Sequence, residues 1–420
     1  MILWKSCEIP IVVRSGSPYH SRQMAAKPAI LSAKETIMID NQWMPRVLAA
    51  MAAVLLLAPA APAAEPSLPL AVRSEKIVSA RVGETREFYV SLPDGYVGSS
   101  EKYPVLLMLD GEFNFTSGVI GSLRHAAQLG EMPEFIIVGI VNTDRAKDCF
   151  PEELTYSDGS KAGGRADRFL DFIASELIPH IDKNYRSEPF RVLYGTSNTG
   201  FTAVYALLRR PELANAYIAA SATLRVPYFL ANRDPLLRDF KGGERKLSLV
   251  MGENDFPTIL SQNGELKEKC DVIAPAGLAC RFTVVEDAGH VPDNALLQGL
   301  SRLFAGWKIT QPLTEQSFAG IRVQVEQRLQ KFGVSAKLPE SELKNLGERL
   351  LMEKKYDRAI EVLQYWVECQ PGSADALVSL GDAYRQGDNP NKARECFKKA
   401  QALAPGHAAA AARLKELGDK

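Results

Sequence analysis

Five histidines and a Gly-x-Ser-x-x-Gly turn frame the chemistry open to this chain. Gly195-Thr196-Ser197-Asn198-Thr199-Gly200 follows an apolar run at 190–194 and precedes Phe201, Val204, Tyr205, Leu207 and Leu208 at helical spacing, so a strand, a sharp turn and a helix place Ser197 at an apex. A serine there meets the free N–H groups and positive dipole end of the helix behind it. Serine needs a base to take its proton, and the base needs an acid to orient it. His125 and His180 fall inside helical patterns and His407 in a helical C-terminal region, whereas His290 follows a strand, stands beside Gly289 in a loop and comes after the serine. The chain order serine, acid, histidine is that of α/β-hydrolases. Asp255 is the first choice for the acid and Glu253 the second, because both follow a strand end, while Asp287 stands only three residues from His290. A tetrahedral oxyanion would take N–H donors from Asn198, directly after the serine, and from the turn Asp110-Gly111-Glu112.

The elements that must position these groups read as an α/β pattern. Segments 75–82 and 86–92 alternate as a hairpin. Segments 103–109 and 135–141 are apolar throughout, as buried parallel strands are, and 216–222, 246–251 and 281–285 continue the series. Helical stripes occupy 119–129, 168–185 and 294–307. Working groups of open α/β sheets gather at the carboxyl ends of strands, so Ser197, the 253–255 acids and His290 should converge.

Past Pro312 the sequence turns charged and helical, and Leu346-Gly347, Ala359, Leu363 and Pro371 recur as Leu380-Gly381, Ala393, Phe397 and Pro405 at a 34-residue displacement. That period and those positions are those of tetratricopeptide repeats, two of them with a capping helix from Ala408, and 318–329 is expected to pack as a helix between the domains.

Lys+Arg and Asp+Glu balance at 50 each, which gives no electrostatic footprint for nucleic acid. Met44-Pro45-Arg46, an apolar run through Leu57 and small residues to Ala63 describe a secretory signal peptide, too short to span a membrane comfortably. Residues 1–43 then form an upstream extension that is not native, 44–63 the leader, 64–308 the hydrolase domain, 309–338 a helical linker and 339–420 the repeats. The mature protein is expected in the periplasm or secreted, with no membrane span. Cys270 and Cys280 flank a Pro/Gly loop, and both a disulfide and two free thiols stay open. Without a C-x-x-C or Cys/His cluster, neither metal nor cofactor is expected.

Leu109-Asp110-Gly111-Glu112, Gly163-Gly164, the segment from Glu176 through Asp182-Lys183-Asn184-Tyr185, the Ser197 turn and Gly289-His290 resemble the esterase family that includes esterase D, enterochelin-type siderophore esterases and bacterial mycolyltransferases. The resemblance covers about 73–308. It implies an α/β-hydrolase three-layer sandwich with a mostly parallel sheet, a small-molecule ester substrate, Ser197 as nucleophile, His290 as base, Asp255 as acid and the Glu112 amide as an oxyanion donor. Thr199 departs from the pattern, where glycine or alanine is usual. An acyltransferase of the same fold differs only in its acceptor. A non-catalytic scaffold whose repeats bind a protein partner, or associate with themselves, belongs to another class. The segment 145–161 and the residues after Thr223 are where specificity would lie.

Overall fold

The computed structural model describes residues 72–418 apart from 95, 97–100, 156–158, 309–314, 316, 335–337 and 339. The proposed leader and upstream extension lie outside the described residues.

The hairpin expected at the start is β1 (Val72–Ser79) and β2 (Glu84–Ser91), joined through Gly83 at φ 73. It leads into β3 (Tyr103–Met108) and β4 (Ile136–Ile140), then a small two-stranded ribbon of β5 (Glu153–Thr155) and β6 (Lys161–Gly163), then β7 (Ser187–Thr196), β8 (Ala216–Ala220), β9 (Arg245–Gly252) and β10 (Leu278–Val285). The main sheet among the described residues runs β1-β2-β4-β3-β7-β8-β9-β10. β1 and β2 are antiparallel to their neighbours, and every pairing from β4 to β10 is parallel.

The absence of alternation in 103–109 has a direct cause. Successive side chains of a strand point to opposite faces, and here both faces are covered. Val105 and Leu107 enter one core with the helices Ala166–Phe172 and Ser197–Arg209. Leu106 and Met108 enter a second core with Val119–Gln128 and Ala295–Leu303. Two cores around one sheet make three layers, as the resemblance implies.

The helix expected over 168–185 runs from Ala166 to Asn184 with one widened turn at Ile173–Leu177. Two helices not anticipated, Pro227–Arg238 and Pro257–Ile273, follow β8 and β9.

The repeats form the pairs Glu340–Met352 with Tyr356–Cys369 and Ala374–Gln386 with Pro390–Leu403, then Ala408–Glu416. The 34-residue displacement is a packing rule here: a Cβ on Gly347 would collide with the Leu363 side chain, and one on Gly381 with the Phe397 ring. Each glycine lets its helix touch the residue that recurs opposite it. The expected intermediate helix is Phe318–Phe332. Its Ile321 belongs to the repeat core and its Phe332 to the second sheet core, where the ring meets Phe304 and Trp307.

Candidate active site

β7 delivers Ser197 into a turn that only small neighbours allow. A Cβ on Gly195 would sit inside the Thr199 carbonyl, and one on Gly200 would press 3.0 Å from the Ala220 carbonyl oxygen. Ser197 itself takes φ 53, a left-handed conformation uncommon for a residue with a side chain. Strain of this kind persists when its surroundings over-determine it. The Ser197 carbonyl accepts from Thr223 N–H at 3.0 Å, and Thr199 ties the turn from inside.

Thr199 is 2% exposed, and its hydroxyl accepts from Thr196 N–H at 2.8 Å while donating to Asp110 Oδ2 at 2.6 Å. The larger residue is therefore held by hydrogen bonds on both sides, and the departure from glycine or alanine is accommodated without a lost bond. Asp110 also accepts from Thr196 Oγ1 at 3.0 Å, from Asn142 Nδ2 at 2.7 Å and from Arg145 through Nε at 2.7 Å and Nη2 at 3.0 Å. Arg145 Nη2 reaches on to the Thr196 carbonyl at 2.9 Å. Burial raises the Asp110 pKa, but the hydrogen bonds and charge of Arg145, with Thr199 and Asn142, outweigh it and hold the carboxyl below its usual range. Asp110 stands at φ 56 and opens the short helix Gly111–Asn114. One ionised carboxylate thus fastens the serine turn to the turn that carries Glu112.

His290 and Asp255 arrive from neighbouring strand ends. β9 and β10 are in parallel register through Gly252 and Val285, so the residues beyond them emerge side by side. Gly252 is required by space: a Cβ there would lie inside the Gly289 and Ala288 carbonyl oxygens. Val291, beside the histidine, holds φ 56 and donates its N–H to Ser221 Oγ at 2.9 Å. His290 Nε2 lies 3.1 Å from Ser197 Oγ, and Nδ1 lies 2.8 Å from Asp255 Oδ1. The Asp255 side chain is fully buried, and Oδ1 also accepts from Phe256 N–H at 2.7 Å. Glu253, the second choice, accepts instead from Asp287 N–H at 3.1 Å. The Phe256 ring stands 5.2 Å from the His290 ring.

A cleft of about 1110 Å³ opens over Ser197 and His290. Its walls are apolar at Val119, Tyr194 and Leu297 and polar at Glu112, Asn142 and Arg145. Glu112 shares this cleft, and its carboxylate accepts from Asn142 N–H at 3.1 Å and Nδ2 at 2.8 Å. Asn198 is the second residue of the helix that Ser197 begins, where an N–H lacks an intrahelical acceptor. Sequence reasoning missed Arg145 as a partner of Asp110 and assigned it to a specificity loop; no local signal links residues 35 positions apart. Cys270 and Cys280 are free thiols. Among the described residues no group of three or more His, Cys, Asp or Glu could hold a metal, and no helix is long and apolar enough to cross a membrane.

Residues 79–246 match the family described as putative esterase, and 350–417 match a tetratricopeptide repeat. The chain thus carries an esterase domain followed by repeats. Among solved structures, an IroE-like serine hydrolase from Shewanella oneidensis is similar at 24% identity and TM-score 0.57, over 79% of this chain and 100% of the other. An uncharacterised protein from Capnocytophaga ochracea is similar at 16% identity and TM-score 0.53, over 83% and 99%. The siderophore hydrolase EstA from Aspergillus nidulans is similar at 21% identity and TM-score 0.50, over 57% and 97%. At such identities the likeness establishes the fold. No curated protein matches the chain.

Proposed function

We propose that this esterase domain cleaves carboxylic esters through a Ser197-His290-Asp255 triad and an acyl-enzyme. The reading is carried by one observation, the unbroken chain of hydrogen bonds from Ser197 Oγ through both His290 nitrogens to a buried carboxylate. Ser197 Oγ attacks the ester carbonyl while His290 Nε2 takes its proton, and Asp255 holds the opposite nitrogen so that Nε2 faces the serine. The oxyanion accepts from the N–H groups of Asn198 and Glu112. Collapse expels the alcohol, protonated by His290, and a water activated by the same imidazole releases the acid and restores Ser197. The fastening of both turns by Asp110 supports the reading, because a donor pair works only if it is held in place before the charge develops.

The protein is exported by the 44–63 leader, so that this chemistry runs in the periplasm or outside the cell, and the repeats provide a surface for a protein partner or a second copy of the chain. The test is a fluorophosphonate probe on protein beginning at Ala64: the native chain labels stoichiometrically and hydrolyses a simple acyl ester, and Ser197→Ala does neither. Labelling that persists in Ser197→Ala sinks the assignment.

A further inference from the structure

The geometry points to a binding site for a phosphate-type oxyanion at the far end of the sheet from Ser197. A cavity of about 180 Å³ opens where the first residues of β8, β9 and β10 meet the end of the helix Ala295–Leu303 and the last turn of Phe318–Phe332. The period-two pattern of strands brings its polar groups together. Lys246 and Ser248 stand two apart on β9, and Ser248 is level with Arg281 on β10, so all three share a face. Arg302 comes from the helix end and Lys331 from the last turn of the second helix.

The charges around this cavity are one-sided. Lys246, Arg281, Arg302 and Lys331 line it, and no carboxylate does. An adjoining cavity shares Lys246 and Lys331 and adds Arg245, whose Nε is already given to the Pro211 carbonyl, and the carboxylate Glu244. The Lys246 and Lys331 ammonium groups stand 5.8 and 5.0 Å from the centroid of the same Phe332 ring, which also lines the cavity. Lys331 also donates to the Ala305 carbonyl at 2.9 Å, so one of its three hydrogens is fixed and the others are available. The guanidinium groups of Arg281 and Arg302 make no hydrogen bond or ion pair with any described residue. At the back of the cavity Ser248 is 7% exposed, and its hydroxyl has no partner among the described residues. Burial depresses the Lys246 pKa first and the charge of Arg281 next; Glu244 opposes them, and Lys331 adds the smallest push downward.

Guanidinium forks, ammonium groups and a buried hydroxyl are the donors that tetrahedral oxyanions take, two or three at a time. A carboxylate ligand would use fewer of them, and a neutral ligand would leave the repulsion among the cations in place. Because the four cations come from β9, β10, the closing helix of the esterase domain and the helix leading to the repeats, a bound oxyanion ties the repeat-bearing segment to the sheet. It does so without touching the Ser197 cleft.

The experiment is calorimetric titration of the full mature chain with sodium phosphate, against sodium chloride at matched ionic strength. Saturable binding at one site is expected, weakened at least tenfold in Arg281→Gln/Arg302→Gln and several-fold in Ser248→Ala, each with an unaltered far-ultraviolet spectrum. Glycerol 3-phosphate and vesicles of phosphatidylglycerol in phosphatidylcholine identify the source: saturation by the soluble phosphates assigns a free phosphate or phosphomonoester, and binding by vesicles alone, lost in the arginine pair, assigns a lipid headgroup. Absence of binding to all three, a response equalled by chloride, or an affinity unchanged in a folded arginine-pair variant overturns the proposal. Heat is read rather than turnover, so the result stands apart from whether Ser197 hydrolyses esters.

Discussion

Replacing Thr199 by valine keeps the branched shape and deletes one oxygen. The Thr196 N–H would lose its 2.8 Å acceptor in a site that is 2% exposed, and Asp110 would lose a 2.6 Å donor. An unsatisfied buried N–H costs about 1–3 kcal/mol, and a hydrogen bond to a charged group contributes about 1.5–3 kcal/mol. Asp110 keeps Arg145, Asn142 and Thr196, so the second loss falls at the low end, and the expected destabilisation is about 3 kcal/mol. For a domain of this size that is a fall of roughly 6–12 °C in Tm. Turnover should fall as well, because the Ser197 backbone at φ 53 is held by this same turn. A misplacement on the order of 1 Å at a reacting atom costs about 100-fold. Urea unfolding followed by circular dichroism, with initial rates on a simple acyl ester, measures both. A valine variant within about 0.5 kcal/mol of the parent, with unchanged turnover, would refute the claim that Thr199 fastens the elbow.

The acid assignment separates cleanly: Asp255→Asn should lower kcat by about 10³–10⁴-fold through the wrong histidine tautomer, while Glu253→Gln, which removes the charge and keeps an oxygen able to accept from Asp287 N–H, should stay within a few-fold. Gly252→Ala should abolish activity and cost several kcal/mol, roughly as other overpacked sites do, because its Cβ can be accommodated only by displacing the Ala288 and Gly289 backbone that carries His290; wild-type rates in this variant would show that the loop is not fixed by contact with β9. Two carboxyls set opposite pH dependences. The depressed Asp110 pKa stabilises the fold above the ordinary carboxylate range and is lost as pH falls through its folded value. Glu134 is pushed up to about 7 by burial, then by Asp94, Glu101 and Glu340, so its contribution is full below its ordinary value and is lost as pH rises through about 7. Glu134→Gln should therefore flatten the decline in stability between about pH 4.5 and 7, by at most about 3 kcal/mol; urea unfolding across that range with an undiminished slope would count against the shift.

How much of this was legible in the sequence follows from what each element buries. The strands were legible because 103–108 and 136–140 are covered on both faces, which leaves continuous apolar runs. The repeats were legible because Gly347 and Gly381 must be small for one contact, made twice. The helix Pro257–Ile273 was not legible, although its proline at the first turn is a start signal. It buries Ile259, Asn263, Leu266 and Cys270 at helical spacing, but Asn263 interrupts the apolar stripe. Its Nδ2 donates to the Ala222 and Ile259 carbonyls, and the Ala222 carbonyl is a tertiary partner that no local pattern announces. Pro227–Arg238 hides in the same way, because buried Arg233 stands between Phe229 and Leu237 and is paired with Asp234 and Glu265.

The candidate site divides along the same line. Ser197, Asp255 and His290 were legible because each follows a strand end, and parallel register brings strand ends together whatever the loops contain. Arg145 and Asn142 were not, since their part is played on a carboxylate more than thirty residues upstream. The same carboxylate explains why threonine can stand at 199. Glycine or alanine would leave Asp110 with one donor fewer and would leave Thr196 N–H without the 2.8 Å acceptor it has here. A residue that looks like a defect in the motif is, with Asp110 beside it, a second fastening between the nucleophile turn and the donor turn. If that is right, Asp110→Asn and Thr199→Val should not be additive: the double variant should be less destabilised than the sum of the singles by about 1 kcal/mol, and strict additivity would mean that the two turns are held independently.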